Sequence, residues 1–159
     1  FIDDSPNMSL MEIRAKCRRL KQKHDLKLVV LDYLQLMSSG KKVESRQQEV
    51  SEFSRSLKLL AKELDVPVIA LSQLNRGSEQ RTDKKPMVSD LRESGSIEQD
   101  ADMVMLLHRE DIYDKESPRA GEADVIVAKH RNGPTKTITV AFQGHYSRFA
   151  NMAADAGGF

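Results

Sequence analysis

The sequence predicts an α/β fold, a mainly parallel sheet flanked by helices with a C-terminal β-hairpin. Two aliphatic runs, Leu28 to Leu31 and Val68 to Leu71, have the length and composition of strands buried on both faces. Each follows a segment whose apolar residues recur at helical spacing, and strand–helix–strand alternation is the pattern of a parallel sheet. Near the end, Asn132-Gly133 stands between two alternating, β-branched segments, the strongest short-range signal for a hairpin.

Phe1 to Asp4 reads as the end of a buried strand, with Ser5-Pro6-Asn7 as the turn after it. Ser9 and Glu12 then form a capping box, and Met8 and Ile13 are placed as a hydrophobic staple. Leu10, Ile13, Cys17 and Leu20 define the inner face of a helix that runs to His24. The basic residues between them suit a solvated outer face, with a nucleic-acid face as the alternative. After the strand ending at Asp32, Ser38 to Lys42 is a loop. Ser45 and Gln48 give a second capping box, and Val50, Phe53, Leu57, Leu60 and Leu64 mark a second helix that Pro67 closes.

From Asn75 to Ser89 the chain is polar and basic, without periodicity. Ser89 to Asp102 holds short helical pieces broken by Gly95, and Met103 to Leu107 is a further apolar strand. Ile112 to Glu122 is a charged loop, and the hairpin joins Asp124 to Arg131 with Thr137 to Gln143. Residues 1–152 are expected as one domain and 153–159 as a flexible tail.

The chain has 159 residues, 39% hydrophobic and 31% charged, with a net charge of +1. That is an ordinary globular composition, so any case for nucleic acid has to rest on local clusters. The single cysteine excludes an internal disulfide framework and suits a reducing cytoplasm. No apolar run reaches the roughly 18 residues that span a bilayer, so no membrane is expected as a partner. The four histidines are scattered, without the spacing of a zinc site.

Asp32 ends a central strand, where open α/β sheets bind ligands. In nucleotide motors a carboxylate there holds Mg2+, which bridges phosphate oxygens; an acid opening a polar loop would read the same way. Gln73 occupies the corresponding place after the next strand. Its amide can donate to a terminal phosphate and accept from an attacking water, or simply be a polar residue at a strand end. Gly40-Lys41 is not a phosphate loop, because Gln35 stands where the first glycine should be and Lys42 follows Lys41. Glu44 and Glu63 lie in segments better explained as solvated helix. Lys129 and Arg131, placed at the hairpin tip, can reach phosphates on a neighbouring subunit or form an exposed basic turn. Arg76, Arg81, Lys84, Lys85 and Arg92 lie in or beside the polar stretch, and Gly95 lets backbone N–H groups approach an anion. No aromatic residue interleaves them, so any nucleic-acid contact there would be sequence-tolerant.

Four segments together resemble the bacterial replicative DNA helicase family, DnaB: Leu28 to Met37, Ile69 to Arg76, Asp90 to Met103 and Lys129 to Pro134. They occur in the family's order and spacing, and the resemblance covers essentially the whole chain. It implies the C-terminal RecA-like ATPase domain of a homohexameric ring that uses ATP and Mg2+ to move 5′ to 3′ on single-stranded DNA, with primase and a helicase loader as partners. It assigns Asp32 as the Walker B acid on Mg2+ and Gln73 as the γ-phosphate sensor coupled to DNA. Lys129 and Arg131 become cations that complete the neighbour's site. Arg92, Glu93 and Gly95 match a DNA-facing loop in which Arg92 and the backbone touch phosphate, Glu93 through its N–H. The family's phosphate-binding loop and catalytic glutamate are expected before Phe1, so this chain alone is expected not to hydrolyse ATP. A filament-forming RecA-type recombinase and a non-catalytic RecA-fold loader or scaffold are the alternatives; a glycine-rich phosphate loop upstream of Phe1 would decide for the motor.

Overall fold

The computed structural model describes residues 1–6, 8–37 and 45–152 of the chain. Ser9 caps α1 (Leu10–His24): its hydroxyl accepts from the Glu12 N–H at 3.3 Å, and the Glu12 carboxylate accepts from the Ser9 N–H at 2.8 Å. Two donors that the first helical turn leaves unpaired are thereby satisfied. Asp25 ends the helix in the left-handed conformation (φ 52°), with its N–H on the Lys21 carbonyl at 3.0 Å. α2 (Arg46–Leu64) starts where the Ser45 hydroxyl accepts from the Gln48 N–H at 3.2 Å and ends on Asp65, also left-handed. Its periodic residues Val50, Phe53, Leu57, Leu60 and Leu64 are all buried, as expected.

α2 is the crossover between β1 (Val29–Leu31) and β2 (Val68–Ala70), which pair in parallel with Val29 opposite Val68 and Leu31 opposite Ala70. Ile13 and Cys17 of α1, Val29 of β1 and the inner face of α2 form one core around Phe53. The other face of the pair is open, with Val30 and Ile69 exposed at 56% and 41%. Two-sided burial, expected from the aliphatic runs, is therefore not complete among the described residues. Phe1 and Ile2, expected as a strand end, are likewise exposed and in no strand pairing. α3 (Gly95–Asp100) packs on α2 through Ser96–Ser51 (2.7 Å) and Asp100–Ser54 (2.8 Å) hydrogen bonds.

Contacts divide the chain into one unit of residues 1–76 and 89–101 and a second of residues 77–88 and 102–159. The second is an antiparallel sheet in the order β3 (Met103–His108), β4 (Glu122–His130), β5 (Lys136–Gln143), β6 (Arg148–Ala150). β3 alternates, with Val104, Leu106 and His108 buried and Met103, Met105 and Leu107 exposed. The expected hairpin is present, but β4–β5 pairing stops at Val127 opposite Lys136. Beyond that, β4 continues along β3, with Lys129 opposite Val104 and His130 opposite Met103. Asn132-Gly133 therefore lies in a longer connection, not a two-residue turn. There a Cβ on Gly133 would run into the His130 ring, which would have to turn aside. The expected tail at 153–159 lies outside the described residues.

Candidate functional site

The chain turns polar at the carboxyl end of both parallel strands. Leu71 N–H donates to the Leu31 carbonyl and Leu34 N–H to the Leu71 carbonyl, each at 2.9 Å, which carries the pairing past the last strand residues. Asp32 follows β1 directly, with a cis peptide to Tyr33 before the 3-10 turn Leu34–Leu36. Asp32, Tyr33, Leu71, Ser72 and Gln73 line one open pocket on this rim. The carboxylate and the amide that the sequence singled out thus share a site. Both residues are exposed, and neither side chain has a hydrogen-bond partner among the described residues.

Gln73 also lines the adjoining pocket, with Gln35, Leu74, Asn75, Arg76, Asp90 and Leu91. The Asn75 N–H donates to the carbonyl of buried Asp90 at 3.0 Å, tying the segment after Gln73 to the 3-10 turn Val88–Ser94. Arg92 and Glu93 lie in that turn; their side chains are outside the described residues. Gly95 opens α3 with nothing within 4 Å of where a Cβ would stand, so its backbone can be approached.

Lys129 and Arg131 belong to the second unit. Lys129 sits within β4, and Arg131 opens the connection that follows it, its N–H donating to the Asp102 carbonyl at 2.8 Å. The Arg131 guanidinium lies 3.6 Å from the Asp102 carboxylate with both side chains about half exposed, so the pair holds it loosely. Of the basic residues in the polar stretch, Lys84 lies over the Tyr113 ring at 5.0 Å and Lys85 is 3.9 Å from the buried Asp124 carboxylate. Part of that positive charge is thus used inside the unit. Glu63 is clamped by Arg14 and Arg18 from α1, which holds its carboxyl below the usual range. It is no candidate base; Glu44 lies outside the described residues.

Sequence reasoning missed a charged cluster in the second unit. Arg119, from the charged loop, donates to Asp124 at 2.7 and 3.0 Å and to Glu110 and Glu122 at 2.9 Å each. Thr139 of β5 adds a bond to Asp124 at 2.8 Å. These bonds hold the Asp124 carboxyl down at about 2 and lower Glu110 as well. Burial lowers His108 beside it. Every partner here is internal to the chain, so the cluster is a tie that fastens the loop to β4 and β5.

Residues 1–151 match the family model described as DnaB-like helicase C terminal domain. The replicative DNA helicase DnaB of Leifsonia xyli is 80% identical over 153 residues, 96% of this chain and 34% of its own length. The replicative DNA helicase DnaC of Bacillus subtilis is 58% identical over the same shares. The chain therefore spans about a third of the length of these relatives. Among solved structures, a DnaB-like replicative helicase, described with its interactions with primase, superposes with a TM-score of 0.91 at 50% identity. That match covers 95% of this chain and 37% of the other. The ATPase domain of G40P gives 0.87 at 50% identity, covering 91% and 52%. The RecA-like α/β fold expected from the sequence is the fold of these neighbours. Among the described residues no helix is long and apolar enough to cross a membrane.

Proposed function

The chain belongs to the DnaB-like helicase C-terminal domain family, and on that footing we propose that it is part of a cytoplasmic ATP-dependent replicative DNA helicase, a hexameric ring that translocates on single-stranded DNA. The observation that carries this reading is the shared rim, where Asp32 and Gln73 line one pocket at the carboxyl ends of paired parallel strands. Among the described residues no three His, Cys, Asp or Glu side chains cluster to cage a metal. A lone exposed carboxylate fits Mg2+, which keeps several waters and is held by one or two carboxylates together with substrate phosphates. When bound, the ion neutralises charge on the phosphate oxygens.

In this reading Gln73 donates its amide N–H to the terminal phosphate of ATP and accepts from water, so its contacts change when that phosphate leaves. The Asn75–Asp90 bond carries the change towards Arg92, Glu93 and Gly95, the DNA-facing residues, where Arg92 and backbone N–H groups touch phosphate. Lys129 and Arg131 supply positive charge to the site of the neighbouring subunit, and their anchoring, opposite Val104 and on the Asp102 carbonyl, fixes where they reach. Primase and a loader are the protein partners of the assembly.

In the full-length protein, Gln73→Ala is expected to leave ATP affinity within about twofold while DNA-stimulated turnover falls by about two orders of magnitude, the range for a lost contact made only during reaction. Stimulated turnover equal to the parent's removes Gln73 from the sensor role.

A further inference from the structure

Gln73 needs a fixed backbone if its amide is to report on one phosphate, and the residue that fixes it is outside the pocket shared with Asp32. Gln35, in the 3-10 turn after β1, donates its side-chain N–H to the Gln73 carbonyl at 3.2 Å and accepts from the Gln73 N–H at 3.2 Å through Oε1. One planar amide thus makes both bonds that a neighbouring strand residue would make, on the backbone of the candidate sensor itself. The same amide nitrogen also donates to the Ser72 hydroxyl at 3.0 Å.

Gln35 is held in turn. Arg46, in the first turn of α2, donates to the Gln35 carbonyl at 2.6 Å and to the Met37 carbonyl at 3.2 Å, and it pairs with Glu49. Gln35 is only partly exposed, whereas Gln73 is exposed, so the rigid member of the pair is Gln35.

We propose that Gln35 is a positioning residue, an amide clamp that holds the Gln73 backbone so that the Gln73 side chain faces the rim pocket. The proposal rests on the sensor reading of Gln73. No other side chain among the described residues bonds the Gln73 backbone on both its N–H and its carbonyl. Gln35 does not itself line the Asp32 pocket, so it acts on nucleotide through the two lining residues it bonds, Gln73 and Ser72.

The test uses full-length protein and reads turnover with and without single-stranded DNA together with KM for ATP. In Gln35→Ala, kcat with DNA falls about tenfold while KM moves less than about twofold, as expected when a lost hydrogen-bonded clamp misplaces a group used in the reaction. Gln35→Glu keeps the side-chain length and the acceptor but loses the donor, setting oxygen against the Gln73 carbonyl. It falls in the same direction, and it carries the test if the alanine variant does not assemble. Placed in Gln73→Ala, Gln35→Ala costs nothing further, because the group it orients has gone. An assembled Gln35 variant with parental stimulation, or an equal additional loss in the Gln73→Ala background, overturns the clamp. If Gln73→Ala alone keeps full stimulation, the sensor reading fails instead, and the two failures are told apart.

Discussion

Asp124 is the most completely buried carboxylate in the second unit, and its fate is set by Arg119. With its pKa held at about 2 against an ordinary 3.8, the bond contributes fully above pH about 4 and is lost as pH falls from there toward 2. Asp124→Asn should therefore lower stability at neutral pH by about 2 kcal/mol and flatten the acid limb between those values. Melting temperature against pH, parent beside variant, measures both; parallel acid limbs would show that Asp124 is not the titrating group. Residues differ in how far the sequence announced them. Asp32 and Gln73 were legible because each lies in the polar stretch that ends an aliphatic run, and a strand end is a place that sequence can locate. Asp124 was not, since it sits in an alternating strand where every second residue may be polar, and its partner comes from a loop without pattern. Gln35 was missed for a similar reason: its partner Gln73 is 38 positions away, and the pair exists only once β1 and β2 are in register.

Among the elements, α2 was read almost to the residue, because its five periodic apolar side chains are all buried, Phe53, Leu57, Leu60 and Leu64 in one core, and a serine caps its start. β6 escaped notice. Arg148–Ala150 is three residues long and half of its interest is an exposed phenylalanine packed on Phe142, too little for any periodicity to show. The hairpin is present, but its pairing ends short of the expected Arg131, because pairing of Lys129 and His130 with β3 takes the end of β4 away from β5. The connection is fastened instead by the His130 ring, which lies against Gly133 and within 3.3 Å of the Pro134 carbonyl. Gly133→Ala is therefore expected to destabilise by about 1 kcal/mol, the lower end for overpacking because a side chain can turn aside. Added to His130→Ala it should cost nothing, and a double-mutant cycle by chemical denaturation measures this; equal costs in both backgrounds would contradict the packing.

For the whole molecule, the parallel pair carries Asp32 and Gln73 in one unit, while Lys129 and Arg131 lie in the other. If the two cations serve a neighbouring subunit, activity becomes a property of the ring. Mixing Arg131→Ala protein with protein inactivated at Asp32 should then restore a measurable fraction of turnover, since some interfaces acquire one intact residue from each side. Mixed rings no more active than either variant alone would place Arg131 in its own subunit's chemistry or outside catalysis. The aliphatic runs promised strands buried on both faces, yet Val30 and Ile69 are exposed among the described residues. Composition tells which residues avoid water, not which element covers them.

The motor reading turns on one geometric relation, a carboxylate and an amide aimed at the same phosphates. The direct measurement is the structure of the full-length protein with Mg2+ and a non-hydrolysable ATP analogue. The Asp32 carboxylate should lie within one water of the metal, and the Gln73 amide within about 3 Å of a terminal phosphate oxygen. Phosphates bound away from this rim, with Asp32 and Gln73 both in contact with solvent alone, would contradict it.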